Sequence, residues 1–328
     1  MSRLHRRAFL AGLGGALLAS AACQPARYAT REPPRGLALR INLLMYAPYA
    51  PLIVMQERAL LQDRVPKLNV EWKLIPSADA VHDALRTGGL DVAIGSATTF
   101  LLLRDGGVPV RALAAVSELP IGVISNRPEV RRLQDLRPPD RIAVPGVGSH
   151  EASILRMAAL REIGDPRALD GLLVGRSPGA GLSDLRTRQL VGAQAAISPF
   201  LDVGLETTGF RRLDDPVASP ALTTILAYAM PDLYERRRPL YDAFIDALPE
   251  ASTLAKALPG GLARLLNETE ELDLSSPTLA GYLARPAVSY GTRLRGLSDL
   301  GRFLTLTGQL RSPAEPFDAL AFPDVFGT

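Results

Sequence analysis

Short apolar runs alternate with amphipathic helical patterns from residue 37 onward, and this alternation constrains the fold more than any other feature of the sequence. The runs at 39–45, 68–75 and 91–95 predict strands, and the patterns at 51–61 and 77–85 predict the helices between them. Strands that alternate with helices are typical of α/β domains, where helices cover a parallel sheet. The sequence therefore predicts an α/β fold.

A second unit of the same kind follows residue 117, and 328 residues exceed what one hydrophobic core usually holds. We therefore predict two lobes with a ligand cleft between them, each lobe a mostly parallel sheet flanked by helices. Residues 37–117 begin lobe 1, 118–213 form lobe 2, and 214–328 return to lobe 1 and end in helices. The further predicted strands are at 110–117, 121–125, 141–144, 172–174, 195–197 and 222–229, and the further predicted helices at 128–136, 149–163, 182–190, 239–248, 251–266 and 299–306.

The charge balance and the scarcity of cysteine and histidine exclude several classes of protein. The chain has 37 basic and 34 acidic residues, and three of the arginines precede Cys23, so the remainder carries no basic surplus for binding nucleic acid. One cysteine and three histidines cannot supply a disulfide, a cysteine-based metal site or a three-histidine site in a processed chain. No lysine follows a glycine as in a phosphate-binding loop, and no Gly-x-Ser-x-Gly elbow is present. We expect no cofactor, no metal and no catalytic residue, and hence not an enzyme.

The N-terminal residues have the pattern of an export signal at 1–22. Arginines precede an apolar stretch at 8–22 that is shorter than the roughly 20 residues of a membrane-spanning helix, and small residues end it. The sequence HRRAFL at 5–10 resembles a twin-arginine export motif, although His5 and Ala11 depart from it, so ordinary Sec export stays open. A permanent membrane helix is the weaker alternative.

Cys23 is a candidate site of lipid attachment. It is the only cysteine, and the sequence LASAA precedes it at 18–22, which resembles a bacterial lipobox. Residues 23–36 are rich in Arg, Pro and Ala and predict a tether. We expect a protein of the periplasm or cell surface that contacts the membrane through its lipid anchor; a free thiol beside an ordinary cleavage site is the alternative.

Four loops that follow predicted strands are candidates for a binding site, because ligands of α/β sheets bind beyond the carboxyl ends of strands and beside helix N-termini. They lie at 46–49, 96–99, 146–150 and 198–200. Helix N-termini at Ala97 and Ser149 could hold an anion through backbone N–H groups, yet no Lys or Arg occupies any of the loops. Ser96 and Thr98 also suit helix N-caps, and His150 fits the start of a helix better than a ligand or a base. The predicted ligand-binding residues are Tyr46, Tyr49, Ser96, Ala97, Thr98, Ser149 and Phe200.

Several segments, in order along the chain, resemble periplasmic solute-binding proteins of ABC importers of the nitrate/sulfonate/taurine type. The match includes QERALL at 56–61, with Ala59 in place of the usual Gly, and GGLDVAIGS at 88–96. It continues through RIAVPGVGS at 141–149 and GQL at 308–310, while SPF at 198–200 departs from the more common Glu-Pro-aromatic. The resemblance covers nearly all of residues 37–323.

This resemblance implies a type II periplasmic-binding fold, a monomer that captures a small-molecule solute, and delivery to an ABC permease. Family likeness and the aromatic loops together favour a small organic solute with one acidic group, sulfonate- or taurine-like. A sensor that reports to a signalling partner is an alternative. A thiamine-pyrimidine-related enzyme is another, but the cysteine-rich motif of such enzymes cannot be formed with one Cys.

Overall fold

The computed structural model describes residues 37–75, 77–187, 191–213, 222–267 and 274–327. The predicted export signal, Cys23 and the tether lie outside this described part, and so do residues 188–190 of the predicted helix at 182–190. Among the described helices, none is long and apolar enough to cross a lipid bilayer.

The described strands form two sheets, one in each lobe, and the predicted two-lobed α/β fold is confirmed. The order in the first sheet is β11-β4-β10-β3-β1-β2, and in the second it is β7-β6-β8-β5-β9. The exact lobe limits at 117 and 213 remain a prediction. The strands are β1 (Ala38–Asn42), β2 (Asn69–Lys73), β3 (Val92–Ser96), β4 (Arg111–Glu118), β5 (Ile121–Ser125), β6 (Ile142–Val144), β7 (Leu173–Gly175), β8 (Ala193–Ile197), β9 (Arg211–Arg212), β10 (Ile225–Ala229) and β11 (Ser289–Tyr290).

Both sheets are more mixed than the mostly parallel sheets that the alternating pattern predicted. β1 pairs in parallel with β2 and β3, but β10 runs antiparallel to both β3 and β4. In the second sheet β5 runs antiparallel to β8 and β9. β5 follows β4 after only two residues, so it enters the second sheet without the crossover helix that a parallel connection needs.

Helices cover the sheets and agree with most of the predicted helical segments. The helix capped by Ser77 is as predicted, since the Ser77 side chain accepts a hydrogen bond from the Ala80 N–H. The helices are α1 (Ala50–Glu57), α2 (Leu60–Arg64), α3 (Ala78–Arg86), α4 (Ala97–Asp105), α5 (His150–Ile163), α6 (Pro178–Thr187), α7 (Phe200–Glu206), α8 (Pro231–Arg236), α9 (Arg238–Ala257), α10 (Pro259–Asn267), α11 (Ser276–Leu283), α12 (Leu297–Leu306) and α13 (Phe317–Leu320).

The helix predicted at 128–136 is wrong. The segment contains only a single 3-10 turn at Leu133–Asp135. The Asp135 carboxylate accepts hydrogen bonds from the backbone N–H groups of Arg131 and Arg132, both at 2.9 Å. These side-chain bonds replace the backbone bonds that a helix would make.

The break predicted near Pro249 is also wrong, because α9 continues through that residue. Pro249 is exposed, so water can reach the backbone carbonyl that its missing N–H leaves without a partner. The buried residues Leu248 and Ala251 on either side keep the helix packed against α1. The helix ends instead at Ala257, and α10 begins at Pro259.

The predicted helix at 51–61 is divided at Ala59, which separates α1 from α2. Ala59 has φ 51° and ψ 33°, the left-handed conformation that favours glycine. The replacement of the usual Gly in the QERALL segment therefore falls at the one position of that segment where Gly would fit best.

Candidate functional site

The carboxyl ends of strands from the two lobes meet at the crossing between β4 and β5. In the first sheet Ser96 pairs with Ile225, and Ile225 pairs with Ser117, so the three lie in one row across the sheet. In the second sheet Ile121 pairs with Ile197. Four residues of chain from Ser117 to Ile121 span at most about 14 Å. The loops after β3 and β8 therefore lie near each other, as the four-loop prediction required.

The loop after β3 begins α4 in the manner of a capped helix. The Ser96 Oγ accepts a hydrogen bond from the Thr99 N–H at 3.1 Å. Ala97 is buried, and its N–H donates to the carbonyl oxygen of Thr224 at 3.2 Å. The Ala97 N–H is therefore not free to hold an anion, contrary to the expectation from the sequence.

The loop after β6 begins α5 in the same way. The Ser149 Oγ accepts from the Ala152 N–H at 3.2 Å, and the Ser149 N–H donates to the carbonyl oxygen of Gly146 at 2.9 Å. This N–H is also engaged within the loop. Any anion at this helix end must be held by other donors.

Thr98 of lobe 1 and His150 of lobe 2 join the two loops directly. The distance from Thr98 Oγ1 to His150 Nδ1 is 3.1 Å, which is a hydrogen bond across the lobe boundary. Thr98 is 0% exposed and His150 is 3% exposed. The structure thus brings a predicted residue, Thr98, onto one for which a purely structural role was expected.

The buried imidazole of His150 is neutral and only half satisfied. Burial lowers its pKa to about 4, because an apolar environment disfavours the charged ring. Nε2 is buried and has no hydrogen-bond partner in the described part of the chain. The hydroxyl groups of Ser117 and Ser198, which lie at the facing strand ends, are also buried, and neither has a hydrogen-bond partner in the described part of the chain.

Tyr49 lies among polar groups from both lobes. Burial raises the pKa of the Tyr49 phenol well above its usual range, and nearby Tyr46 and Glu151 raise it further. Tyr49 in turn contributes to the raised pKa of Tyr228, whose first cause is burial. Because Coulomb effects of this kind fall off with distance, Tyr49, Tyr228 and Glu151 lie close together.

Tyr46 and Glu151 complete this cluster from the two lobes. Tyr46 is 43% exposed, so it lies at the rim of the cluster formed by Tyr49, Tyr228 and Glu151. Burial raises the pKa of the Glu151 carboxyl, while hydrogen bonds from its own backbone and from Ser149 partly oppose the rise. Glu151 and Tyr228 were not predicted from the sequence.

Phe200 begins α7 and belongs to the same buried core cluster as Tyr49, a core to which both lobes contribute. Tyr49 and Phe200 are thus both core residues, whereas Tyr46 is exposed and lies outside this cluster. Of the seven predicted residues, Thr98 makes a described hydrogen bond across the lobe boundary.

An ionic cluster on the α7 side joins the lobes at a second place. Arg285, which follows α11 of lobe 1, forms ion pairs with Asp202 and, at 2.9 Å, with Glu206, both on α7 of lobe 2. The Tyr282 hydroxyl donates to the Glu206 carboxylate. These residues are about 80 positions apart in sequence, so no local pattern could have identified them.

A third contact lies beside the end of α12. Arg156 of α5 donates to the Gln309 side chain at 3.1 Å, and Arg167 donates to the carbonyl oxygen of Thr307. The described contacts between the lobes thus include the Thr98–His150 hydrogen bond and two further polar contacts.

A solvent-open hollow of about 550 Å³ lies beside the central bridge. It is formed mainly by α3 and α4, with His82, Asp83 and Thr99 on its wall, and Gly148 reaches it from lobe 2. None of the seven predicted residues lines it. In the part of the chain that the structure describes, no group of three His, Cys, Asp or Glu side chains is placed to hold a metal ion.

No protein-family model matches the chain, and no curated protein is significantly similar to it in sequence. Solved structures do match. The periplasmic aliphatic sulphonate binding protein SsuA from Escherichia coli superposes with a TM-score of 0.71 at 18% identity, over 88% of this chain and 98% of that one.

The alkanesulfonate-binding protein SsuA from Xanthomonas axonopodis pv. citri, bound to MOPS, superposes with a TM-score of 0.68 at 20% identity, over 89% of this chain and 98% of that one. The periplasmic nitrate-binding protein NrtA from Synechocystis PCC 6803 gives 0.56 at 14% identity, over 74% of this chain and 69% of that one. The chain therefore has the two-lobed type II fold of periplasmic binding proteins, as its sequence resemblance implied.

Proposed function

We propose that this protein is an extracytoplasmic solute-binding lipoprotein that captures a small organic solute between its lobes and delivers it to an ABC importer. The observation that carries the proposal is the meeting of the predicted loops at the Thr98–His150 bridge. Unpartnered polar groups of His150, Ser117 and Ser198 are buried along the facing edges. Leaving such a group unpaired costs about 1–3 kcal/mol, and a polar solute would recover that cost.

A binding protein accounts for these features better than an enzyme does. His150 is held neutral, and although the Thr98 hydroxyl bonds to its Nδ1, no described carboxylate or other group bonds to Nε2 to orient the ring as a base. Catalysis needs a nucleophile or a base oriented by a further group. The proteins with similar structures are described as binding sulfonates or nitrate, which supports the same choice.

The proposed solute carries one acidic group on a small organic body. Tyr49 and Phe200 are apolar core residues after predicted strands, and an organic body would suit such surfaces, whereas inorganic nitrate would not use them. The absence of Lys and Arg from the four loops requires uncharged donors for the acidic group. The proposed lipid anchor at Cys23 and tether at 23–36 would keep the protein beside its permease. A monomer suffices for this role.

A thermal-shift screen of the processed protein tests the proposal. The panel contains alkanesulfonates, including MOPS, with small carboxylic acids, nitrate and sulfate. A ligand at a hundred times its dissociation constant adds about 2.7 kcal/mol to the free energy of unfolding. Stabilisation by organic acids supports the proposal, stabilisation by inorganic anions alone would replace the proposed solute, and no stabilisation by any compound would contradict solute binding.

A sensor remains the second candidate, because the same captured solute could be reported to a signalling partner. A pull-down with the solute-loaded protein separates the two. Recovery of a permease supports import, and recovery of a sensor kinase would contradict it.

A further inference from the structure

His150 lies where predicted binding loops of the two lobes touch. It is the first residue of α5 in lobe 2, and it contacts Thr98, the second residue of α4 in lobe 1. Both side chains are buried. A solute that enters between the lobes at this point meets the imidazole of His150.

The hydrogen bond to Thr98 determines which ring nitrogen of His150 carries the proton. The Thr98 hydroxyl has one proton, and among the described residues its hydrogen-bond partner is His150 Nδ1, at 3.1 Å. If Nδ1 carried the ring proton, both the hydroxyl proton and the Nε2 lone pair would be buried without partners, whereas a proton on Nε2 leaves only the Nε2–H without one. The hydroxyl therefore donates to Nδ1, and a neutral imidazole then carries its proton on Nε2.

The Nε2–H of this tautomer is a buried donor without an acceptor among the described residues. The ring is neutral because burial lowers the pKa of His150 to about 4. The donor therefore adds no positive charge beside Glu151, the next residue of α5. A neutral N–H can bind an acceptor oxygen where an arginine would instead form an ion pair with Glu151.

From this geometry we infer that His150 is a specificity-determining residue, whose Nε2–H donates a hydrogen bond to an oxygen of the solute's acidic group while Thr98 fixes the tautomer. The inference rests on the proposed function. It assigns to the site a solute group that accepts hydrogen bonds, such as a sulfonate or carboxylate oxygen, and it excludes a group that only donates, such as an alkylammonium.

Nitrogen-15 NMR of the imidazole rings tests the tautomer without any solute. Two-bond proton–nitrogen correlations distinguish an Nε2–H ring from an Nδ1–H ring, and His82 is the only other histidine outside the predicted leader. We expect the Nε2–H form for His150 at neutral pH. Thr98→Val should remove this preference. An Nδ1–H ring in the wild-type protein would overturn the inference, whatever the protein binds.

Calorimetry with butanesulfonate and butylamine as probes tests the contact itself. Gln places an amide N–H near the position of Nε2, and Asn places its amide near Nδ1 instead. We expect wild-type protein to bind butanesulfonate but not butylamine, His150→Gln to lose less than about threefold in affinity, and His150→Asn to lose about tenfold or more. Circular dichroism melts establish that each variant is folded, and His82→Asn, on the wall of the hollow formed mainly by α3 and α4, serves as the matched control with unchanged affinity.

The outcomes separate this inference from the proposed function. Equal butanesulfonate binding by the wild type and both His150 variants would overturn the contact and leave the transport function standing. Tighter binding of butylamine would overturn the assigned acceptor group. Binding of neither probe, together with no stabilisation in the solute screen, would overturn both.

Discussion

Arg285 of lobe 1 is paired with the buried carboxylate of Asp202 on lobe 2, and this pair joins helices that are distant in sequence. The Asp202 side chain is 6% exposed and that of Arg285 is 41% exposed. Asp202 would therefore be a buried, unpaired charge without its partner. The relative position of the lobes thus depends on a specific charged contact in addition to apolar packing.

Arg285→Gln should destabilise the protein by about 1–3 kcal/mol, because the buried Asp202 carboxylate loses its ion pair. Chemical denaturation measures the change in the free energy of unfolding. Arg236→Gln is the control, since Arg236 and its partner Asp232 form an exposed pair on α8 that contributes little. The additional change Asp202→Asn should recover part of the loss. Equal stability of the Arg285 and Arg236 variants would contradict a role for the ion pair between the lobes.

Ser149→Ala should weaken solute binding as well as stability. The Ser149 side chain caps α5 at the proposed site, and loss of a cap costs about 1 kcal/mol. Ser275→Ala removes an equivalent cap from α11, away from the site. Both variants should melt at lower temperature, but only Ser149→Ala should lose affinity in calorimetry with the best compound of the screen. If the two variants bind equally well, the loop after β6 is not part of the site.

Ala59→Gly should stabilise the protein by about 0.5–1 kcal/mol. Ala59 has a positive φ of 51°, which costs an alanine more than a glycine. The gain is limited because glycine also increases the entropy of the unfolded chain. Ala80→Gly, at an exposed position of α3, should instead lower the free energy of unfolding, by up to about 1 kcal/mol. A loss of stability from Ala59→Gly in urea denaturation would show that its conformation is not strained.

The free energy of unfolding should fall as the pH is lowered from about 6.5 towards 4. Burial lowers the pKa of His150 to about 4 in the folded protein, so the unfolded chain, with a pKa near 6.5, binds the proton more readily. The neutral ring makes its full contribution to the free energy of unfolding above about pH 7. About 3 kcal/mol of that contribution is lost by pH 4.

The difference between wild-type protein and His150→Gln isolates this effect from the other titrating groups, among them His82, whose pKa is also lowered, and Glu151, whose pKa is raised. The variant has no ring to protonate, so its stability should fall less steeply over this range. Parallel curves for the two proteins in urea denaturation at pH 4–7 would contradict a buried neutral histidine.

Cys23→Ser should move the protein from the membrane to the soluble fraction, because the lone cysteine is the proposed lipid attachment site and stable anchoring needs acyl chains. Fractionation of cells followed by immunoblotting measures the distribution. Ser20→Ala, three residues earlier, keeps the small-residue pattern and should stay with the membrane. Retention of the Cys23→Ser protein in the membrane fraction would disprove lipid anchoring at this residue.

The seven predicted residues were chosen on a local signal. Each follows a short apolar run or begins a helical pattern, which predicts a place at a strand end. The same signal gave β5 at its observed limits and the helix cap at Ser77. Residues whose role depends on the partner lobe carried no such signal. Arg285 looks like any surface arginine in the sequence, and Tyr228 like any core residue of β10.

The sequence by itself determined the strand and helix alternation, and with it the α/β class and the two lobes, because hydrophobic periodicity is set by residues a few positions apart. Only the tertiary structure decided that β10 runs antiparallel between β3 and β4, that α9 continues through Pro249, and that His150 meets Thr98. These outcomes depend on contacts between distant segments, whose packing and burial outweigh local propensity. The chemistry of the proposed site also depends on the tertiary structure, because the neutral charge and the tautomer of His150 both follow from what surrounds the ring.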